Sequence, residues 1–202
     1  MDQRAFWAGE FGIEYIGRNK SEDLFASNLS LFSEIFSSTG IAPQSFIEFG
    51  ANIGMNIKAL KSLFPKGTFT GVEINSEACK HLTQVCDLTY ESSIESFKPD
   101  VLHDLVLSKG VLIHIDPENL SIVYEKLVRS TRKWLLIAEY YNPTPVGIEY
   151  RGHSDKLFKR DFAGEILDKY PEIKLKSYGF RYHRGVFPQD DITWFLLERE
   201  VA

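Results

Sequence analysis

The segment FIEFGANIG, residues 46–54, is the most informative part of the sequence about the fold. An apolar segment runs directly into a turn with two glycines, and residues with helical apolar spacing, among them Ile57 and Leu60, follow it. Gly50 can pass close to a ligand because it has no Cβ, and Asn52 tolerates the left-handed region better than most residues. The pattern predicts a buried strand, a tight turn at a binding site, and a helix.

Segments with the apolar spacing of strands and of helices alternate outward from this turn. On its amino side, residues 22–38 have the spacing of an amphipathic helix. On its carboxyl side, Asp116 and Pro117 are the predicted N-cap and first residue of a helix. Further strands, separated by helices, are predicted at residues 68–73, 88–91, 104–108 and 134–139. Such alternation is typical of βαβ units and of a mostly parallel sheet.

The carboxyl-terminal part of the chain departs from this alternation. Residues 173–182 and 192–198 are extended segments, and their connection contains Pro188 and has no room for a helix. Parallel neighbours need such a crossover, so the two segments are predicted to form an antiparallel hairpin. The predicted fold is α/β, with a mostly parallel seven-stranded sheet that ends in the antiparallel hairpin. Such a sheet resembles that of a Rossmann-like sandwich, which implies helices on both faces.

Length and composition are those of one globular domain. The chain has 202 residues, 44% apolar and 25% charged, enough to bury one substantial core. We expect residues 1–40 to form a helical cap on a core of residues 41–202. The net charge of −5 disfavours nucleic acid as a partner. The sequence has neither a membrane-spanning apolar stretch nor a secretory leader pattern, so we expect a cytoplasmic monomer or homodimer without a membrane partner.

Two acidic residues stand at predicted strand ends near the turn. Glu48 lies just before Gly50, and Glu73 ends the next strand along the chain. A carboxylate at the second position can accept hydrogen bonds from both hydroxyls of a nucleotide ribose. The spacing G-x-N-x-G lacks the third glycine of the dinucleotide-binding fingerprint, which disfavours a nicotinamide cofactor. The pair predicts a nucleotide-containing cofactor of another kind.

The segment from Glu48 to Gly54 resembles the acidic, glycine-rich strand-turn of class I S-adenosylmethionine (SAM)-dependent methyltransferases, with Asn52 in place of the middle glycine. The resemblance implies SAM as cofactor, with Glu48 beneath its methionine part. It places Glu73 at the ribose, the end of the third strand at the adenine, and the end of the fourth strand beside the methionine. The implied cofactor-binding residues are Glu48, Gly50, Asn52, Gly54, Glu73, Ile74, Ser92, Ser93, Ser108 and Lys109.

Longer segments resemble a narrower family, the pseudaminic-acid-biosynthesis-associated methylases. The resemblance spans nearly the whole chain and implies methyl transfer to a sugar or nucleotide-sugar of nonulosonic (pseudaminic) acid or surface-glycan biosynthesis. The segments that carry it are FWAGEFGIEYIGRN (6–19), SKGVLIHID (108–116), IAEYYNPTPV (137–146), YRGHSDKLFKRDFAGE (150–165) and QDDITWFLLE (189–198).

The amino-terminal segment is a candidate lid. In class I methyltransferases such a segment often folds over the cofactor, which would let Arg18 pair with the methionine carboxylate, with Tyr15 beside it. The alternative is a helix that packs its aromatic residues on the sheet edge and leaves Arg18 in water. Tyr15 and Arg18 are therefore further candidate cofactor-binding residues.

Residues 140–158 form a long predicted connection after the fifth strand. Connections of this length inside a compact domain are usually functional. Aromatic planes with amide, guanidinium and imidazole donors suit a sugar or another polyhydroxylated molecule. The alternative is an ordinary surface loop. The candidate substrate-binding residues are Tyr140, Tyr141, Asn142, Arg151 and His153.

Methyl transfer requires alignment of the methyl acceptor and, for oxygen or ammonium acceptors, a base that removes a proton. The candidate catalytic residues are His114, His153 and Tyr141, and His183 in the hairpin loop is a further candidate base. His114 has a structural alternative, since a histidine next to an apolar strand often only packs. Neither the histidines nor Asp190 and Asp191 have partners at metal-ligand spacing, so no metal is expected.

Rival functions remain open at this point. A regulatory protein could keep the SAM site without catalysis, and an oxidoreductase could use the same sheet topology. A methyltransferase could also act on a protein or on another small metabolite. The missing third glycine and the terminal hairpin count against the oxidoreductase.

Overall fold

A twisted seven-stranded sheet, in the order β3-β2-β1-β4-β5-β9-β8, forms the centre of the molecule. The computed structural model describes residues 3–16, 21–150 and 152–200, without the side chains of Tyr15 and residues 153–155. The strands are β1 (Ser45–Phe49), β2 (Thr68–Glu73), β3 (Leu88–Glu91), β4 (His103–Lys109), β5 (Thr131–Glu139), β6 (Val146–Tyr150), β7 (His153–Lys159), β8 (Ile173–Arg181) and β9 (Ile192–Arg199).

The strand directions confirm the predicted topology. β1 pairs in parallel with both β2 and β4, and β3 and β5 extend the parallel sheet on either side. β9 runs antiparallel to β5 and to β8, so the sheet ends in the predicted hairpin. Central strands are near-continuous apolar runs because helices cover both of their faces. In β1, for example, Phe46, Ile47 and Phe49 are all buried.

Helices lie on both faces of the sheet. α3 begins at Ser21, whose Oγ accepts a hydrogen bond from Leu24 N at 3.0 Å, and ends at Gly40 in the left-handed conformation. The helix at Asp116 begins as a 3₁₀ turn before α6. The helices are α1 (Gln3–Ala8), α2 (Glu10–Ile16), α3 (Glu22–Thr39), α4 (Met55–Leu63), α5 (Ser76–Leu82), α6 (Leu120–Ser130) and α7 (Phe162–Lys169).

Two apolar clusters hold the layers together. On one face, α3 and α4 bury residues such as Phe32 and Leu60 against the sheet. On the other face, α6 and α7 contribute Leu127 and Ile166. Each such fully buried side chain stabilises the fold by about 1.5–3 kcal/mol relative to its exposed state. The predicted sandwich is therefore a sheet fixed between two helical layers.

Residues 140–158 are not the irregular connection that the sequence analysis predicted. β6 and β7 pair as an antiparallel hairpin that forms a small second sheet. Val146, Ile148 and Tyr150 alternate with Gly147 and Glu149, which is the period of a strand. Gly152, with φ of 80°, supplies the left-handed residue that the turn needs. The prediction gave weight to the polar and proline residues and missed this alternation.

Many of the candidate site residues lie at one edge of the sheet. The carboxyl ends of β1, β2, β4 and β5 meet there because these strands are parallel. Glu139 at the end of β5 pairs with Thr193 at the start of β9, so the β8–β9 loop lies at the same edge. We call this edge the rim. In the described part of the chain, no helix is both long and apolar enough to cross a membrane.

Candidate cofactor and substrate cleft

A cleft with a volume of about 960 Å³ opens over the rim. The part above β2, here called the β2 half, is lined by residues 50–53, 55–56, 72–75 and 92–95. The part towards β9, here called the β9 half, is lined by residues 113–116, 183 and 189–192, with Asn28 of α3, and residues 109–111 after β4 lie between the two halves and border both. Ligands of open α/β sheets bind at the carboxyl ends of the strands, where this cleft lies.

The turn after β1 has the conformation that the sequence predicted. Gly50 has φ of 70° and Asn52 has φ of 48°, both left-handed, and Gly54 follows with φ of 81°. The backbone N–H groups of Gly50 and Ala51 both donate to Val72 O, at 2.8 and 3.1 Å. A Cβ at position 50 would lie 2.5 Å from the Val111 side chain. The turn is therefore packed between β2 and the segment after β4, and glycine is required there.

Glu73 fixes this turn to the next rim loop. Its Oε2 accepts from Asn52 N at 2.7 Å, and its Oε1 accepts from Asn75 N at 2.8 Å. Burial raises the pKa of the carboxyl group, and backbone hydrogen bonds from Asn75, Asn52 and Ile74 oppose that rise. A carboxylate has about four lone-pair sites, so about one remains for a ligand in the cleft. Glu73 lines the cleft with Ile74, as predicted.

Asn75 is a site residue that the sequence analysis missed. Its Oδ1 caps α5 by accepting from Glu77 N and Ala78 N, each at 3.1 Å. Its Nδ2 donates to Trp7 O at 3.2 Å, which ties α1 to the rim. The signal was present, because an Asn followed by Ser-Glu before a helical segment is a typical N-cap. Asn75 also lines the cleft.

Ser92 and Ser93 lie at the end of β3 and line the cleft, where the resemblance placed the adenine. Ser92 N donates to Glu73 O at 2.8 Å, which joins this segment to β2. Ser93 Oγ bonds Ser96, and Ser92 Oγ donates to Ser93 O at 2.9 Å. The buried Ile94 adds an apolar wall beside them.

Glu48 lies beneath the turn rather than in the cleft wall. Its Oε1 accepts from Asn56 Nδ2 at 2.6 Å, and Asn56 lines the cleft. Burial raises the pKa of Glu48 to about 8. Within the described residues, Glu48 Oε2 and Asn56 Oδ1 are buried and have no hydrogen-bond partner. Glu48 thus supports the cleft wall through Asn56, and Gly54, the N-cap of α4, also lies behind the wall.

Ser108 and Glu139 organise the segment after β4. Ser108 is fully buried and donates its Oγ hydrogen to Glu139 Oε1 at 3.1 Å, so it does not line the cleft. The same Glu139 oxygen accepts from Val111 N and Leu112 N, each at 3.0 Å. Burial raises the pKa of Glu139 to about 7. Ser108 therefore positions backbone near the cleft, and Glu139 is a residue that the sequence analysis did not predict.

Lys109 stands between the two halves and lines the cleft. Burial lowers the pKa of its ammonium, and the nearby carboxylates of Glu48, Asp190 and Glu139 act in the opposite direction. The next residue, Gly110, has φ of 68°, and a Cβ at its position would meet nothing within 4 Å. The cleft therefore has open space beside Gly110 and one lysine on its floor.

His114 lies in the cleft wall under an aromatic roof. Its Nδ1 donates to Lys156 O at 2.8 Å, and its ring centroid lies 4.6 Å from that of Trp7 and 5.1 Å from that of Tyr150. Tyr150 in turn contacts Phe11 at 6.3 Å. Burial lowers the pKa of His114 to about 4. An imidazole whose conjugate acid has so low a pKa is a weak base and a poor proton acceptor. The contacts of His114 also favour the structural alternative.

The segment after β5 divides its side chains between two faces. Tyr140 lines the cleft, whereas the half-exposed Tyr141 packs on Phe195 at 5.8 Å between ring centroids. Asn142 Nδ2 donates to Thr144 O at 2.5 Å and does not line the cleft. Successive side chains of an extended chain point to opposite sides, so Tyr140 and Tyr141 cannot share one pocket. The structure does not bring Tyr141 and Asn142 to the cleft, which corrects the prediction for both.

The β8–β9 loop supplies cleft residues that the sequence analysis did not assign to binding. Gln189 Nε2 donates to Asn28 Oδ1 at 3.0 Å, and both side chains are buried. His183 and Asp191 are hydrogen-bonded to each other at 2.8 Å. No local signal could have paired Gln189 with Asn28, because they lie at opposite ends of the chain.

Four predicted site residues cannot be placed. Arg18 and Arg151, and the side chains of Tyr15 and His153, lie outside the described residues. Among the residues that are described, no group of three His, Cys, Asp or Glu side chains is placed to share a metal ion.

The sheet order, the terminal hairpin and the rim cleft are those of the Rossmann-like methyltransferase fold. No protein-family model and no curated protein sequence matches this chain. Among solved structures, the magnesium protoporphyrin IX methyltransferase ChlM from Synechocystis with bound SAH superposes with a TM-score of 0.72 at 13% identity, covering 98% of this chain and 97% of that chain.

Two further solved structures have the same fold. The plantazolicin methyltransferase BpumL in complex with SAH gives a TM-score of 0.70 at 11% identity over 98% of this chain and 94% of that chain. The glycopeptide N-methyltransferase MtfA complexed with SAM gives 0.65 at 11% identity over 86% of this chain and 87% of that chain. Identities this low establish the fold of the chain and leave its activity to the site.

Proposed function

We propose that this chain is a SAM-dependent methyltransferase that binds SAM in the β2 half of the cleft and its methyl acceptor in the β9 half. One observation carries the proposal: the Glu73 carboxylate faces the cleft beside the left-handed Gly50–Asn52 turn, at the end of β2 in a methyltransferase fold. A ribose needs a charged acceptor at this place, and a methionine moiety needs close approach to the turn.

The residues present fit SAM. Three backbone hydrogen bonds leave Glu73 about one lone-pair site for the ribose hydroxyls, and Ser92 and Ser93 stand where an adenine would lie. The space beside Gly110 suits the methionine part, next to Lys109. Glu48 would act there through Asn56. The solved neighbours that contain SAM or SAH support this assignment. When bound, SAM supplies a methyl group on a positively charged sulfur that leaves as a neutral thioether.

The methyl acceptor that we propose is a small polar molecule, a sugar or nucleotide-sugar of nonulosonic (pseudaminic) acid or surface-glycan biosynthesis. The segment resemblance across the chain supports this class. The β9 half offers amide, ammonium and carboxylate groups from Asn28, Gln189, Lys109 and Asp190, which suit a polyhydroxylated ligand. A volume of about 960 Å³ lies at the upper end of the range for small-molecule sites, which leaves room for two ligands.

The roof of the cleft supports a closing role for the cap. The ring of Trp7 in α1 contacts the His114 ring at a tilt of 50°, and Tyr150 of β6 contacts both His114 and Phe11 of α2. We propose that the helical cap of residues 1–40 and the β6–β7 hairpin together exclude water from the cleft, which lies in the core of residues 41–202. Exclusion of water strengthens the electrostatic contacts that align the two ligands. The same proposal includes a monomer or homodimer in the cytoplasm.

Binding calorimetry tests the cofactor assignment. SAM and SAH are expected to bind with micromolar Kd, about −8 kcal/mol, whereas NADH should give no heat. Absence of heat and of thermal stabilisation with both SAM and SAH at millimolar concentration would contradict the proposal. Binding of NADH alone would favour the oxidoreductase.

Transfer of radiolabelled methyl groups tests catalysis. The panel consists of nucleoside-diphosphate hexoses, amino sugars and CMP-linked nonulosonic acids, each incubated with labelled SAM and the protein. Label in a sugar product supports the proposal. Tight SAH binding without transfer to the panel, or to protein and metabolite fractions of a cell extract, would favour the regulatory alternative.

A further inference from the structure

The β8–β9 loop holds a histidine and a carboxylate in one fixed arrangement at the cleft. His183 Nδ1 lies 2.8 Å from both carboxylate oxygens of Asp191. The backbone N–H of His183 also donates to Asp191 Oδ1, at 3.0 Å. Both residues line the cleft and are about half exposed. One carboxylate thus holds the histidine at two points, its ring and its backbone.

The arrangement determines which ring nitrogen is available. An ionised carboxylate only accepts hydrogen bonds, so Nδ1 carries the proton that Asp191 receives. The hydrogen bond from the His183 ring is the main cause that lowers the pKa of Asp191, which keeps this carboxylate ionised. Nε2 then keeps its lone pair, and no group in the described part of the chain bonds it. His183 is therefore oriented as a proton acceptor.

The backbone around the pair is built to hold it. Asp191 has φ of 54°, a left-handed conformation that aspartate adopts more readily than most residues. Asp191 N donates to Gln189 O at 2.8 Å, and the Gln189 side chain is anchored on the buried Asn28 of α3. These contacts and the bonds to the His183 ring and backbone keep the Asp191 carboxylate facing His183.

The pair stands in the half of the cleft that lies away from Glu73. Glu73 ends β2, whereas this loop joins β8 to β9, and the strands β1, β4 and β5 lie between β2 and β9. His114, the other described histidine of the cleft, has its Nδ1 on Lys156 O and its ring between Trp7 and Tyr150. His183 is thus the better placed and better oriented base for the β9 half.

We propose that His183 is the catalytic base that removes the proton of the methyl acceptor, and that Asp191 is its positioning residue. The acceptor is then a molecule with a hydroxyl or amine group at the reacting atom. As a lone pair of that atom bonds the methyl carbon, the C–S bond breaks and its electron pair stays on sulfur. The O–H or N–H proton passes to Nε2, and Asp191 stabilises the resulting imidazolium. This inference rests on the proposed function.

Long-range ¹H–¹⁵N spectra of the wild-type protein test the orientation without a methyl acceptor. At alkaline pH, the His183 ring is expected with a protonated Nδ1 and an unprotonated Nε2, and His183→Ala assigns the signals. Asp191→Gly, which suits the positive φ of this position, should abolish the preference. A protonated Nε2 in the wild type, or an unchanged ring in Asp191→Gly, would overturn the proposal.

Methyl transfer in variants tests the chemistry. With an acceptor from the sugar panel, His183→Ala should lower kcat by about 10²–10⁴-fold and Asp191→Gly by less. Added imidazole should restore part of the His183→Ala rate, which a merely structural residue would not allow. The control His81→Ala, on an exposed position of α5, should match the wild type.

The affinity for SAH separates this proposal from the proposed function. Both variants should keep Kd for SAH within about threefold of the wild type, since the pair lies outside the β2 half. Wild-type turnover in His183→Ala, loss of SAH binding in both variants, or SAH binding without any transfer by the wild type would overturn the assignment of the base. Failure of the wild type to bind SAH would instead overturn the proposed function itself.

Discussion

The two halves of the cleft are built in different ways. In the β2 half, backbone groups make the decisive contacts: the N–H groups of Asn52 and Asn75 bind Glu73, and those of Gly50 and Ala51 bind Val72 O. In the β9 half, side chains do so: Gln189 bonds Asn28, and His183 bonds Asp191.

This difference has a consequence for specificity. A backbone framework depends on φ and ψ and tolerates many side chains, so it suits a ligand that stays the same. Where side chains make the contacts, a single substitution can change which ligand the site binds. Under the proposed function, the β2 half therefore suits the constant methyl donor, and the β9 half suits the methyl acceptor.

The largest expected effect is that of Gly50→Ala, which breaks the backbone framework. The left-handed φ costs about 1–2 kcal/mol for alanine, and the new Cβ would clash with Val111, which lies 2.5 Å away. We expect affinity for SAH to fall by at least about 100-fold, about 2.7 kcal/mol, in calorimetry.

Gly40→Ala is the matched control for this substitution. Gly40 has φ of 67°, nearly that of Gly50, but a Cβ there meets nothing within 4 Å, and the residue caps α3 away from the cleft. This variant should lose stability through conformation alone and bind SAH like the wild type. Equal SAH affinity in the two variants would mean that the Gly50 turn is not part of the donor site.

The second expected effect concerns the carboxylate that the turn holds. Glu73→Ala should weaken SAH binding by about 2 kcal/mol or more, because two ribose hydroxyls lose a charged acceptor and Asn52 N loses its partner. Titration calorimetry measures the loss. Glu91→Ala, at the exposed register neighbour on β3, should bind normally. Normal binding in a folded Glu73→Ala would place the ribose elsewhere.

These two predictions rest on the part of the site that was visible in the sequence. The Gly50 turn and Glu73 are local features, since a strand, a turn and the next strand end fix their positions within one βαβ unit. The mostly parallel character of the sheet followed from the same alternation. α7 was missed although Asp161 provides its N-cap, with Oδ1 accepting from Gly164 N at 2.8 Å.

The β9 half was hidden for a physical reason. Asn28 and Gln189 meet only because α3 packs beside the β8–β9 loop, and no periodicity encodes such a contact. Tyr141 was assigned to the cleft because the whole segment 140–158 is rich in aromatic and donor side chains, but adjacent extended residues such as Tyr140 and Tyr141 face opposite sides. Composition of a segment predicts its chemistry, whereas orientation requires the tertiary structure.

The third expected effect is on stability and concerns the acid beneath the β2 half. Burial raises the pKa of Glu48 to about 8. Between about pH 4.5 and about pH 8 the folded protein therefore keeps a proton that the unfolded chain has released. The contribution of Glu48 to the free energy of unfolding is complete below pH 4.5 and is lost as the pH rises through about 8.

Urea unfolding at several pH values tests this. Glu48→Gln is neutral throughout, so its slope of unfolding free energy against pH should be shallower by about 1.4 kcal/mol per unit between pH 5 and pH 8. A residual slope should remain from Glu139, whose pKa burial raises to about 7. A Gln variant with the full wild-type slope would mean that Glu48 is ionised in the folded protein.

The smallest expected effect concerns a side-chain contact that supports the β9 half of the cleft. Gln189→Ala removes the donor to the buried Asn28 Oδ1 and should cost about 1 kcal/mol, because a buried acceptor is left unpaired. The β8–β9 loop then loses its anchor on α3, so kcat for methyl transfer should fall by about fivefold while Kd for SAH stays within about threefold.

Tyr141→Ala is the matched control, since its ring packs on Phe195 outside the cleft, and it should change neither value. A loss of SAH affinity in Gln189→Ala as large as the loss in kcat would show that the two halves respond as one unit. The division between a backbone-built donor site and a side-chain-built acceptor site would then be wrong.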